Sequence, residues 1–81
     1  MKLQILAFGV AQDLVGGRTV ELRVGDSVNT VGLLKSELAN KYPELAESVS
    51  YLIAVNSEYA HDDTRIKAGD EIAVIPPTSG G

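Results

Sequence analysis

From Thr30 the apolar residues of this 81-residue chain take up the spacing of a helix. Val31, Leu34, Leu38 and Tyr42 follow one another at intervals of three and four and so fall on one helical face. Asn29 or Thr30 can cap the N-terminus. Pro43 disfavours helical geometry at Tyr42 and donates nothing to the ladder, so the helix is expected to end near Lys41. Gly32 is a weak point in its first turn, and Pro43 to Ser48 has room for a short extra turn. A single main helix among extended segments must bury its apolar stripe against a sheet, which confines the chain to a two-layer α+β architecture.

The extended segments alternate with a period of two. Lys2 to Phe8 sets Leu3, Ile5 and Ala7 on one side and Lys2, Gln4, Leu6 and Phe8 on the other. After the turn signal Gly16-Gly17, Thr19 to Val24 alternates again, with Val20, Leu22 and Val24 together. Residues 2–24 therefore read as a hairpin with an elaborated connection. Tyr51, Ile53 and Val55 alternate with Leu52 and Ala54 in a third strand, Asn56-Ser57 turns the chain, and Glu58 to Ala60 makes a very short edge strand. The polar stretch His61 to Lys67 offers only Ile66 to a core, and Gly69-Asp70 resets the direction. Glu71 to Ile75 is the last strand, stopped by Pro76-Pro77. The expected order is β-β-α-β-β-β: an α+β roll over residues 1–76 with a flexible tail at 77–81.

A chain of this length buries roughly 60 to 65% of its unfolded surface, enough for one modest core and no second domain. The absence of cysteine removes disulfides, thiolate metal sites and cysteine nucleophiles, and fits a reducing, cytoplasmic compartment. No apolar run approaches the roughly 20 residues of a bilayer span, so no membrane role is expected. Seven Lys and Arg against eleven Asp and Glu give a net charge of −4, which argues against a nucleic-acid partner. Residues 1–36 carry four cations and three anions, residues 37–81 three and eight, so a basic protein surface would meet the second half.

Internal chemistry is hard to place. His61 with Asp62 and Asp63 reads as a solvated loop in preference to a metal site, and no metal is expected. Neither a GxGxxG nor a GxxxxGK[ST] pattern occurs, and Gly16-Gly17 precedes a strand where a phosphate loop would open a helix. Acidic pairs such as Asp70-Glu71 and Glu44 with Glu47 lack a pocket pattern and read as solvated faces. What remains is the C-terminal IPPTSGG. At average glycine usage a terminal Gly-Gly arises by chance in roughly 0.5% of sequences.

Without a Cβ, Gly80 and Gly81 can pass a channel too narrow for side chains and present a carboxylate at its end. Ordering five residues costs roughly 5 to 10 kcal/mol of backbone entropy, and Pro76 and Pro77 lessen that loss by limiting the free ensemble. Docking would need an apolar face, and Phe8, Ile75 and Tyr59 on the outward side of the sheet supply one. Burying each contributes about 1.5 to 3 kcal/mol, which roughly offsets the ordering cost, so polar contacts along the tail must add to it.

Four stretches carry a family resemblance: LAFGVAQDLVG at 6–16, TVGLLKSEL at 30–38, AVNSE at 54–58 and GDEIAVIPPTSGG at 69–81. Together they resemble the small subunit of molybdopterin synthase (MoaD type), a ubiquitin-like β-grasp sulfur carrier. The resemblance implies that an E1-like, ATP-dependent adenylyltransferase (MoeB type) adenylates the Gly81 carboxylate and that a persulfide donor converts it to a thiocarboxylate. The tail would then enter the large subunit (MoaE type), in a heterotetramer, and give its sulfur to cyclic pyranopterin monophosphate to build the dithiolene. On this reading the chain is not an enzyme itself and keeps no permanent cofactor. Gly81 is the attachment site, and Gly80, Phe8, Tyr59, Ile75, Pro76 and Pro77 are partner contacts.

The sequence departs from the family in places. Gln12-Asp13 stands where Arg-Glu is frequent, Ala7 where a second aromatic is frequent, and Ile75 where Phe is frequent. Two alternatives stay open: a sulfur carrier for thiazole synthesis (ThiS type), and a ubiquitin-like modifier that forms isopeptide bonds with target lysines.

Overall fold

The computed structural model describes residues 1–48 and 51–76. Five strands and three helices follow in the order β1 (Lys2–Ala7), α1 (Val10–Val15), β2 (Thr19–Arg23), α2 (Val31–Lys41), α3 (Pro43–Ser48), β3 (Leu52–Val55), β4 (Glu58–Tyr59) and β5 (Glu71–Ile75). The strands form one sheet in the order β2-β1-β5-β3-β4. β1 and β5 run parallel at its centre, and the other pairs are antiparallel.

Alternation sorts the side chains as the sequence requires. Leu3, Ile5, Leu22, Ile53, Ile72 and Val74 are buried on the face covered by α2, where they meet Val31, Leu34 and Leu38. Leu45 of α3 is also fully buried. Each such side chain contributes about 1.5 to 3 kcal/mol on leaving water. One principal helix across a mixed five-stranded sheet is the β-grasp arrangement that the sequence led us to expect.

The ends of α2 follow from its sequence. Thr30, not Asn29, is the cap, and its Oγ1 accepts the Leu33 N–H at 3.3 Å. The neighbouring loop satisfies two more of the first turn's donors: Val31 N–H donates to the Thr64 carbonyl and Gly32 N–H to the Asp62 carbonyl, both at 2.9 Å. This explains Gly32. A Cβ there would lie 3.3 Å from both the Asp62 carbonyl oxygen and the Asp62 Cβ, so glycine lets the loop close onto the helix. Pro43 ends α2 and opens α3, where proline at the first helical position leaves no additional donor unpaired.

One expectation needs correction. The connection between β1 and β2 holds a helix, α1, with Ala11 and Val15 buried one turn apart. Gly16 takes the left-handed conformation (φ 92°) that closes it, and the Gly16 and Gly17 N–H groups both donate to the Gln12 carbonyl. Gly16-Gly17 is thus a helix C-terminus as well as the turn into β2. Two turns are too short for the period to stand out from the strands on either side.

Candidate functional site: the outer face of the sheet and the root of the tail

The face turned away from α2 is polar at one end and apolar at the other. Lys2 pairs with Arg23, and Gln4 with Glu21 and Glu71. One step along, Leu6 pairs with Ala73, Ala73 with Ala54, and Ala54 with Tyr59, so four strands contribute to one apolar row. The next row joins Ile75 to Leu52, with Phe8 one residue beyond the Ala7–Val74 pair and alongside Ile75.

Exposure separates this face from the core. Phe8 is 48% exposed, Leu52 59% and Tyr59 72%, so none of them is a core residue, while Ile75 is half-buried among them. The structure therefore brings Phe8, Tyr59 and Ile75 onto one surface. It adds Leu52, which the sequence reading did not single out as a contact. Leu52 points outward because Ile53 points inward, the same relation that sets Ile75 against Val74, and that parity was the available signal.

Beside Phe8 the surface is concave. A cavity of about 270 Å³ is lined by Leu6, Ala7, Phe8, Gln12, Arg18 and Thr19. Gln12, one of the departures from the family pattern, thus sits next to Phe8 and shares the cavity with Arg18.

The chain leaves the sheet at the apolar end. The Phe8 N–H donates to the Val74 carbonyl at 3.3 Å, the last rung between β1 and β5 before Pro76. Pro76 is half-buried. Pro77, Gly80 and Gly81 lie outside the described residues. Two apolar rows that converge on the exit of the chain suit a protein surface covering both together.

The His61 loop plays a different part. The His61 N–H donates to Thr64 Oγ1 at 2.9 Å, and Asp62 Oδ1 accepts from Lys35 Nζ at 2.9 Å, which ties the loop to α2. Among the described residues no cluster of three His, Asp or Glu could hold a metal, and no helix is long and apolar enough to cross a membrane.

Among the described residues, Tyr51 is the one group whose acidity is clearly shifted. Burial is the larger effect and raises its pKa above the ordinary 10.0, while the charge of Lys35 lowers it. It lies beside α2 and not on the outer face.

The whole chain has known relatives. It is 35% identical over 82 residues to the molybdopterin synthase sulfur carrier subunit of Arabidopsis thaliana, covering 100% of this chain and 84% of that one. The crystal structure of SAMP1 from Haloferax volcanii superposes with a TM-score of 0.83 at 30% identity, covering all of both chains. A chain in the protein-protein complex of subunits 1 and 2 of molybdopterin-converting factor from Helicobacter pylori shares the fold, with a TM-score of 0.67 at 23% identity over all of both chains. The ThiS family model matches residues 5–81, so this β-grasp chain belongs to the ThiS family.

Proposed function

We propose that the chain is the sulfur carrier of a molybdopterin synthase and that the sulfur travels on the carboxyl group of Gly81. The full-length likeness to relatives of that name carries this reading. The apolar outer face beside Pro76 supports it, because a carrier must be gripped at its body while its end reaches into another protein.

The chemistry asks little of the chain's own side chains. A carboxylate is a poor electrophile. When a Gly81 oxygen bonds to the α-phosphorus of ATP and pyrophosphate departs, the resulting acyl-adenylate has AMP as a good leaving group. The terminal sulfur of a persulfide then displaces AMP, and a thiol reduces the remaining S–S bond to leave the thiocarboxylate. An E1-like activating enzyme supplies the first step. A large synthase subunit receives the tail and supplies the catalytic groups that pass the sulfur to the pterin. The pairing of subunits 1 and 2 in the Helicobacter pylori complex supports a large-subunit partner. Gly80 keeps the tail slim, and Phe8, Tyr59, Ile75 and Pro77 contact both partners.

The likeness to SAMP1, a small archaeal modifier protein, favours a second reading in which Gly81 is joined to lysines of other proteins. One experiment separates the two. Incubation with an activating enzyme, ATP and a sulfur donor, followed by intact-mass analysis, is expected to show one oxygen exchanged for sulfur. Ladders of heavier conjugates, with no thiocarboxylate, would overturn the carrier reading.

A further inference from the structure

Pro76, at the end of the described residues, lies beside a glycine 67 residues earlier in the chain. Gly9 follows β1 with φ 55° and ψ −134°, a conformation that L side chains rarely adopt. Among the described residues, a Cβ at Gly9 would have one neighbour within 4 Å beyond the adjacent residues, Pro76 Cγ at 3.4 Å. The Pro76 ring therefore lies on the side of Gly9 where a side chain would project, and glycine leaves that space to the ring. The backbone around Gly9 is held on both sides. The Phe8 N–H bonds to the Val74 carbonyl, and the Phe8 and Gly9 carbonyls accept the Ala11 and Gln12 N–H groups of α1.

From this geometry we infer that Gly9 is a positioning residue, which acts through Pro76 to set the direction in which the tail leaves the sheet. Two constraints meet at that root: the proline ring fixes its own φ, and the Gly9 backbone seats the ring. A tail launched in one direction reaches a partner's site with fewer orientations to discard, and orientation of this kind governs the rate of a reaction within a complex. The inference rests on the sulfur-carrier reading, since it concerns the delivery of Gly81. It adds a residue from the far end of the sequence that touches neither ATP nor sulfur.

The test is a graded series in the full-length chain: wild type, Pro76→Ala, Pro76→Gly and Gly9→Ala. Each is presented to the E1-like adenylyltransferase with ATP, and pyrophosphate release is followed. Pro76→Ala removes the ring, and Pro76→Gly also frees φ. Neither places strain on Gly9, so both keep the test open should Gly9→Ala fold poorly. The expected result is a kcat that falls stepwise from wild type through Pro76→Ala to Pro76→Gly, by about tenfold or more in the last. KM for the carrier and the thermal midpoint should stay unchanged across the proline series. Gly9→Ala, where it folds, should also lose kcat with KM unchanged.

A kcat unchanged in every variant overturns the inference. So does a rise in KM at constant kcat, which makes Pro76 a docking contact, or a loss of kcat that tracks the loss of thermal midpoint. A wild-type chain that releases no pyrophosphate overturns the carrier reading, and the inference with it.

Discussion

Asn56 and Asp70 are bound to each other: Asn56 Nδ2 donates to Asp70 Oδ1 at 3.1 Å. The two most distinctive internal motifs, AVNSE and GDE, are thus halves of one structural device. Asp70 is only 5% exposed, and its other oxygen accepts the Lys67 N–H at 2.9 Å. Asn56 in turn accepts the Glu71 N–H on its Oδ1 at 3.0 Å and gives its own N–H to the Glu71 carbonyl at 2.8 Å. Asn56 and Ser57 both have positive φ, as the two-residue turn between β3 and β4 requires. The device fixes this turn to the start of β5, the strand that ends at the tail.

Asp70→Ala should therefore destabilise the fold by about 1 to 2 kcal/mol, because it takes the shared acceptor from two part-buried hydrogen bonds. Asp70→Asn, which keeps an acceptor, should cost less. Urea unfolding of the three proteins checks the order, and equal stability of Asp70→Ala and wild type would remove the device from the account of the fold.

Leu52→Ala and Phe8→Ala should each leave stability within about 0.5 kcal/mol of wild type, since both side chains are about half exposed or more. Each should weaken binding of the large subunit at least tenfold, the effect of losing a contact worth about 1.4 kcal/mol. Calorimetric titration beside a thermal melt separates the two quantities. A collapse of the melting temperature in either variant would return that residue to the core.

Gly32→Ala should not bring the gain of about 1 kcal/mol that replacing glycine by alanine usually gives inside a helix. The new Cβ would press on the Asp62 carbonyl, which is already held by the Gly32 N–H. Gly32→Val should cost about 1 to 3 kcal/mol through overpacking. Chemical denaturation of both variants tests this, and a stabilised Gly32→Ala would mean that the loop yields.

The raised pKa of Tyr51 has a defined sign. The folded chain holds the phenol proton more tightly than the unfolded chain does. The stability this contributes is complete below pH 10 and is lost as pH rises through the folded pKa. Denaturant midpoints measured from pH 8 to pH 11 should fall at the alkaline end, and Tyr51→Phe should flatten that fall.

Deleting Gly81 should abolish thiocarboxylate formation and sulfur transfer while leaving the thermal midpoint nearly unchanged, because the residue lies beyond the last strand. Mass analysis and a melt on the same sample check both halves. Transfer by the shortened chain would place the sulfur elsewhere.

Much of this protein was legible in its sequence, because the signals that define it are local. Alternation assigned Leu3 and Ile5 inward and Phe8 and Ile75 outward. The spacing of Val31, Leu34 and Leu38 fixed the buried face of α2, and Pro43 fixed its end. Helix α1 escaped because a two-turn period is indistinguishable from a loop until Ala11 and Val15 are seen packing against the core. The strand order β2-β1-β5-β3-β4 decided everything that joins distant segments: Leu52 beside Ile75, Asn56 on Asp70, Asp62 over Gly32 and Pro76 on Gly9. Side-chain periodicity reports which way a residue faces within its own element. Which residue it then meets depends on how the elements are brought together, and that is set by the packing of the whole core.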